Sequence, residues 1–140
     1  MLAPSAHRTT AMTLEEAIRH LRALLSVPPE QRDSEWAYEV CRATRAVHEP
    51  IWQEHPPGPY VEKRVAPLLA EARDAVQVVP RTGKFANEID GFVANIDWRV
   101  RQCHRYAHGE GPEDLPPELV EAALKSGYVR ELEQIAPDDD

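Results

Sequence analysis

Apolar residues recur along this chain at intervals of three and four, the spacing that lines one face of an α-helix. Leu14, Ile18, Leu21 and Leu25 form the first such stripe. Thr13 stands before it as a helix cap, Glu16 three residues later completes a capping box, and Pro28 closes the segment. A second stripe, Trp36, Val40, Ala43 and Val47, opens at Asp33 or Ser34 and runs to Pro50. Val61, Val65, Leu68, Leu69, Ala72 and Val76 predict a third helix, with Pro67 either kinking it or marking its first turn. The fourth is predicted from near Thr82 to Gly109, with Phe85, Ile89, Phe92, Ile96 and Cys103 on one seam, and is expected to be the central core element. A short fifth segment starts at Pro117 with Leu119, Ala123 and Leu124, and Tyr128, Val129, Leu132 and Ile135 continue it beyond Gly127.

No second β-rich run exists to pair with Val76, Val78 and Val79, and Pro80 follows them at once, so a strand there has no partner. The 13 prolines fall mostly between the periodic segments and read as joints. The pattern predicts an all-α fold: a compact antiparallel bundle of four to five helices with Pro-rich turns. Residues 1–11 precede the first cap and are expected to be a mobile leader, with Met12 as a candidate start. Residues 12–136 are expected to form one helical domain, and 137–140 an acidic end.

Length agrees with a single core, since 140 residues is an ordinary domain size. No apolar run approaches a membrane span, and the first twelve residues lack the apolar heart of a secretory signal, so no membrane partner and a cytoplasmic location are expected. Cys41 and Cys103 are too few for a disulfide framework and lack the paired spacing of a zinc site. A Pro-rich ligand reading of Trp52 to Tyr60 fails on spacing, which leaves a rigid turn pinned by Trp52 and Tyr60.

Charge changes the picture. The net charge is −8, yet residues 1–109 hold 14 acidic and 14 basic side chains, while residues 110–140 hold 10 acidic and 2 basic. All of the excess lies in the last segment, which ends in Asp138, Asp139 and Asp140. By contrast, Trp98 to Gly109 carries Arg99, Arg101, His104, Arg105 and His108 with no carboxylate among them. The expected ligand of that stretch is anionic: nucleic-acid phosphate, the acidic face of a protein partner, or this chain's own acidic end folding back. Arg101, Arg105 and His108 are the candidate binding residues.

His104 and His108 are four apart and could grip one ion, but the carboxylates that helical metal centres add are missing from the pattern, so no metal and no cofactor are expected. The chain also has no phosphate loop, nucleophile elbow or dinucleotide fingerprint. Strong core grammar without a convincing catalytic set points to a small acidic helical protein that binds another macromolecule as a subunit, adaptor or regulator.

One constellation points elsewhere. Arg99, His104 and Tyr106 spell R-x4-H-x-Y, which resembles the catalytic motif of HEPN-fold ribonucleases, particularly the toxin branch paired with a nucleotidyltransferase antitoxin. The resemblance implies an all-α fold, metal-independent cleavage of RNA and a homodimer that brings two motifs together. It would give Arg99 the phosphate, His104 the proton transfer and Tyr106 the position an antitoxin modifies. An imidazole titrating near neutrality can move the proton of a ribose hydroxyl while a guanidinium stabilises charge on phosphate. On an ideal helix at about 100° per residue, Arg99 and Tyr106 share a face and His104 lies about 140° away, so a dimer or a frayed end would be needed to converge them.

Overall fold

The computed structural model describes residues 12–114 and 116–119. The expected leader, the acidic end and the continuation of the last segment through Ala123, Leu124, Tyr128, Val129, Leu132 and Ile135 lie outside the described residues. Helix α1 spans Leu14–Leu25, α2 Ser34–His48, the single turn α3 Ile51–Glu54, α4 Ala66–Gln77 and α5 Ile89–Ala107. No described residue is in a strand. The fold is an all-α bundle, as the periodicity predicts.

Local chemistry starts and stops these helices. Thr13 Oγ1 accepts from Glu16 N and Glu16 Oε1 accepts from Thr13 N, each at 3.1 Å, so the capping box is complete. A further orphan donor, Leu14 N, is met at 2.9 Å by Glu54 Oε2 from α3, which ties the start of α1 to the turn after α2. Asp33 caps α2 by accepting from Trp36 N at 2.9 Å.

Two helix starts differ from the pattern. The third segment begins with a turn at Gly58–Tyr60 and widens into a π-turn at Val61–Val65 before α4. Pro67 sits in the first turn of α4, where its missing N–H and its ring are tolerated, and the wide turn closes with Ala66 N bonding back to Val61 O. The fourth predicted helix starts at Ile89 rather than near Thr82, after a short 3₁₀ turn at Ala86–Glu88. Gly83, at φ +84°, bends the chain there, and Ser34 Oγ accepts from Phe85 N at 3.0 Å. Phe85 therefore works from a loop, stacked on Tyr38 with ring centroids 4.5 Å apart.

Side-chain pairings give the topology. Trp36 donates its indole N–H to Leu24 O while Leu14 meets Glu54, so α1 and α2 are antiparallel. Glu62 meets His104 and Arg73 meets Asp97, so α4 and α5 are antiparallel too. Ser34 pairs with Phe85, Tyr38 with Phe92 and Thr44 with Arg99, which sets α2 and α5 side by side and parallel. These two form the middle of the bundle, with α1 packed on α2 and α4 on α5. The predicted core faces are buried at Leu21, Trp36, Val40, Val65, Leu69, Ile89, Phe92 and Ile96, whereas Leu25 and Phe85 are half-buried. Beyond α5, Leu119 is buried as well. Among the described residues no helix is long and apolar enough to cross a membrane.

Candidate functional site

The second half of α5 and its C-cap, His108, carry the candidate residues, and the two faces treat them differently. Arg99 points inward and is 5% exposed. Its Nη1 donates to Cys41 O at 3.1 Å and to Thr44 Oγ1 at 3.0 Å, both on α2. The Thr44 hydroxyl donates in turn to Cys41 O at 2.7 Å, so the guanidinium is held by a carbonyl and a hydroxyl already oriented by the helix. Beside it lies His48, whose ring stands edge-on to Trp98 and accepts from the Trp52 indole N–H at 3.4 Å. Burial, reinforced by the Arg99 charge, pushes the His48 imidazole down to about 3, so it is neutral at physiological pH. One turn further on, Cys103 is fully buried, and its thiol is pushed up to about 12 by burial and by the Glu62 carboxylate.

The outer face carries His104, which is exposed and has Nδ1 3.2 Å from Glu62 Oε1. Arg101 lies 3.7 Å from Asp97 Oδ2, one turn back on the same helix. Arg105 Nη1 meets Glu110 Oε1 at 3.0 Å, and His108 Nδ1 lies 2.8 Å from His104 O at the helix end. The most cationic stretch of the sequence is therefore matched, charge by charge, by carboxylates and carbonyls of the same chain. Two carboxylates just past the helix also turn back onto it, Glu110 to Arg105 and Glu113 to the neutral Gln102, whereas the acidic end at Asp138 to Asp140 lies outside the described residues.

Tyr106 shares neither setting. Its hydroxyl donates to Pro56 O, and its ring meets Trp52 edge-on at 5.2 Å. Gly58 lies against the backbone of Ala107, where a Cβ would come within 3.1 Å of its carbonyl oxygen. The Pro-rich turn is thus pinned by Trp52, Tyr106 and Gly58, whereas Tyr60, expected to pin it, is 40% exposed. Within one chain, Arg99, His104 and Tyr106 face three different surroundings: His104 lies apart from Arg99 as the helical angles predict, whereas Tyr106, expected on the face of Arg99, meets the Pro-rich turn instead of α2.

Sequence reasoning missed Gln102, Glu113, Glu62 and His48. For Gln102 a signal existed: Asn95, Arg99 and Gln102 continue the phase of Phe92, Ile96 and Cys103, so the seam itself turns polar, and all three are buried. Among the described residues, no group of three or more His, Cys, Asp or Glu side chains could hold a metal ion. A shallow groove of about 400 Å³ lies at the start of α2, between Trp36, Tyr38 and Glu39 on one side and Lys84 and Phe85 on the other.

Comparison with known proteins adds no relative. No family model, no curated protein and no solved structure matches the chain.

Proposed function

We propose that this chain is a binding protein, acting as a subunit, adaptor or regulator, and that it meets a protein partner through the outer face of α5. The observation that carries the reading is the division of α5: its inner face holds the bundle together, and its outer face presents Arg101, His104, Arg105 and His108 in one row near the helix end. Each of these is paired through a surface contact, which solvent weakens and a partner can replace. Arg101, Arg105 and His108 are the binding residues in this reading.

The second reading is an RNA-cleaving enzyme of the HEPN type. What favours it is the His104–Glu62 pair, since a carboxylate beside an exposed imidazole orients it for proton transfer. Arg99 would then have to act from its seat between α2 and α5, or a second copy would have to supply the phosphate contact.

One set of variants separates the two. Reversing Arg101 and Arg105 to Glu is expected to abolish capture of the partner from the native host, while His104→Ala, which leaves both guanidinium charges in place, keeps it. In the enzymatic reading the order inverts: incubation with total RNA in chelator gives cleavage, and His104→Ala lowers it by about 10² to 10⁴-fold. Intact RNA together with capture that survives the double reversal refutes both.

A further inference from the structure

The residues after α5 double back on the helix they leave. Gly109, at φ +79°, reverses the chain, and Glu110 N donates to Arg105 O at 2.8 Å. Arg105 then holds the returning segment twice, through Nη1 to Glu110 Oε1 at 3.0 Å and through Nε to Gly111 O at 2.9 Å. One turn back along α5, the Gln102 amide grips Glu113 at both ends. Its Nε2 donates to Glu113 Oε1 at 3.0 Å and its Oε1 accepts from Glu113 N at 2.9 Å. Gln102 is fully buried, so an amide placed in the seam of the helix is committed to holding a piece of extended chain.

These contacts define what the surface takes. It reads two carboxylates three residues apart, and between them it reads a backbone carbonyl and a backbone N–H. A polypeptide offers all four groups in that order, and a nucleic-acid backbone offers no amide N–H. We infer that the end of α5 is a docking surface for an extended acidic segment of a partner protein, and that Glu110 to Glu113 occupy it as a tethered competitor. The inference rests on the binding reading above and gives the partner its chemistry.

Displacement is feasible on the same geometry. The Arg105 and Glu110 side chains are 34% and 54% exposed, so their ion pair is weak and open to exchange. The competitor's advantage is its tether, which gives a local concentration on the order of millimolar for so short a link. A partner segment offsets that advantage by reaching Arg101 and His104, which lie on the same face and which Glu110 to Glu113 do not touch. The surface is thus closed to weak acidic ligands and open to one long enough to use the whole row.

The test uses the full chain and poly-L-glutamate as the probe, at about 0.1 M salt so that the net charge of −8 is screened beyond about 10 Å. Glu110→Gln combined with Glu113→Ala weakens the competitor and leaves α5 untouched. Binding of polyglutamate, followed by amide chemical shifts of α5, is expected to tighten about threefold or more over the unsubstituted chain, and to vanish when Arg105→Glu is added. Should the double variant lose helix by circular dichroism, Glu110→Gln alone, at a side chain that is half exposed, is expected to shift binding in the same direction. Unchanged affinity in the folded variant, or tighter binding of polyuridylate than of polyglutamate, overturns the inference. A native partner that is lost on reversing Arg101 and Arg105, together with unchanged polyglutamate affinity, would overturn this inference and leave the binding reading standing. Tightened polyglutamate binding with no native partner lost would overturn the binding reading, and with it the partner protein, and leave only a surface that takes an acidic segment.

Discussion

The half-buried His48, desolvated between α2 and α5, makes the stability of this protein depend on pH below neutrality. His48 has its imidazole pushed down to about 3 in the folded chain, against about 6.5 when solvated. Folding therefore favours the neutral ring. Above pH 6.5 both states hold it neutral and nothing is lost; below 6.5 the unfolded chain takes up a proton that the folded one refuses, so stability falls as pH falls toward 3. The loss approaches about 1.4 kcal/mol per pH unit, which gives about 0.8 kcal/mol at pH 6 and about 2 kcal/mol at pH 5 relative to neutrality. The assay is urea unfolding by far-UV circular dichroism at pH 7, 6 and 5, above the range in which ordinary carboxylates titrate. His48→Gln is the control, because its amide oxygen can still accept from the Trp52 indole N–H but cannot be protonated. The unsubstituted chain is expected to lose about 2 kcal/mol between pH 7 and 5, and the variant markedly less. Equal losses in the two would refute the assignment of this slope to His48.

Four further outcomes can be measured on the same footing. Phe92→Ala removes a side chain that is 2% exposed at the contact between α2 and α5, and is expected to cost about 3 to 5 kcal/mol in urea unfolding. Gly58→Ala would put a Cβ 3.1 Å from the Ala107 carbonyl oxygen, so a loss of about 1 kcal/mol or more is expected from forcing the Pro-rich turn off α5. Thr13→Ala opens the capping box and should cost about 1 kcal/mol, with the change in hydrogen exchange confined to the first turn of α1. Cys103, buried and with its thiol pushed up to about 12, is expected to resist a thiol-specific disulfide reagent in the native chain and to react once the chain is unfolded; prompt native labelling would contradict its placement.

The sequence carries the helices well where apolar spacing and caps agree, as at Thr13, Glu16 and Asp33. It misleads where a residue serves from outside a helix. Phe85 fits the seam of α5 in phase, yet Gly83 and the Ser34 hydroxyl hold it in a loop, and periodicity alone cannot tell the two apart. The π-turn at Val61–Val65 has no separate signature beyond Pro67. In the candidate site the cationic stretch was legible as charge, and the division of its members between core and surface was carried by the sequence but masked by their shared charge. That division follows from helical phase: Arg99 sits with Ile96 and Cys103, and Arg101 does not. The partners that fix each group, Cys41 and Thr44 for Arg99 and Glu62 for His104, come from 42 to 58 residues away in sequence, where no local pattern can report them.

The parallel seating of α2 against α5 also bears on the order in which the chain assembles. α1 with α2, and α4 with α5, are hairpins whose tying contacts span 12 to 42 residues, from Trp36–Leu24 to Glu62–His104. The hydrogen bonds from Arg99 on α5 to α2 span 55 and 58 residues, and each doubling of such a loop adds only about 0.6 kcal/mol to the entropy of closing it. The two hairpins can therefore form early and dock late at modest entropic expense. Docking also desolvates the Arg99 guanidinium, which donates to Cys41 O and Thr44 Oγ1 across that final interface. A register slipped by one turn would bury the cation away from those two acceptors, so desolvating Arg99 favours the native register of α2 against α5.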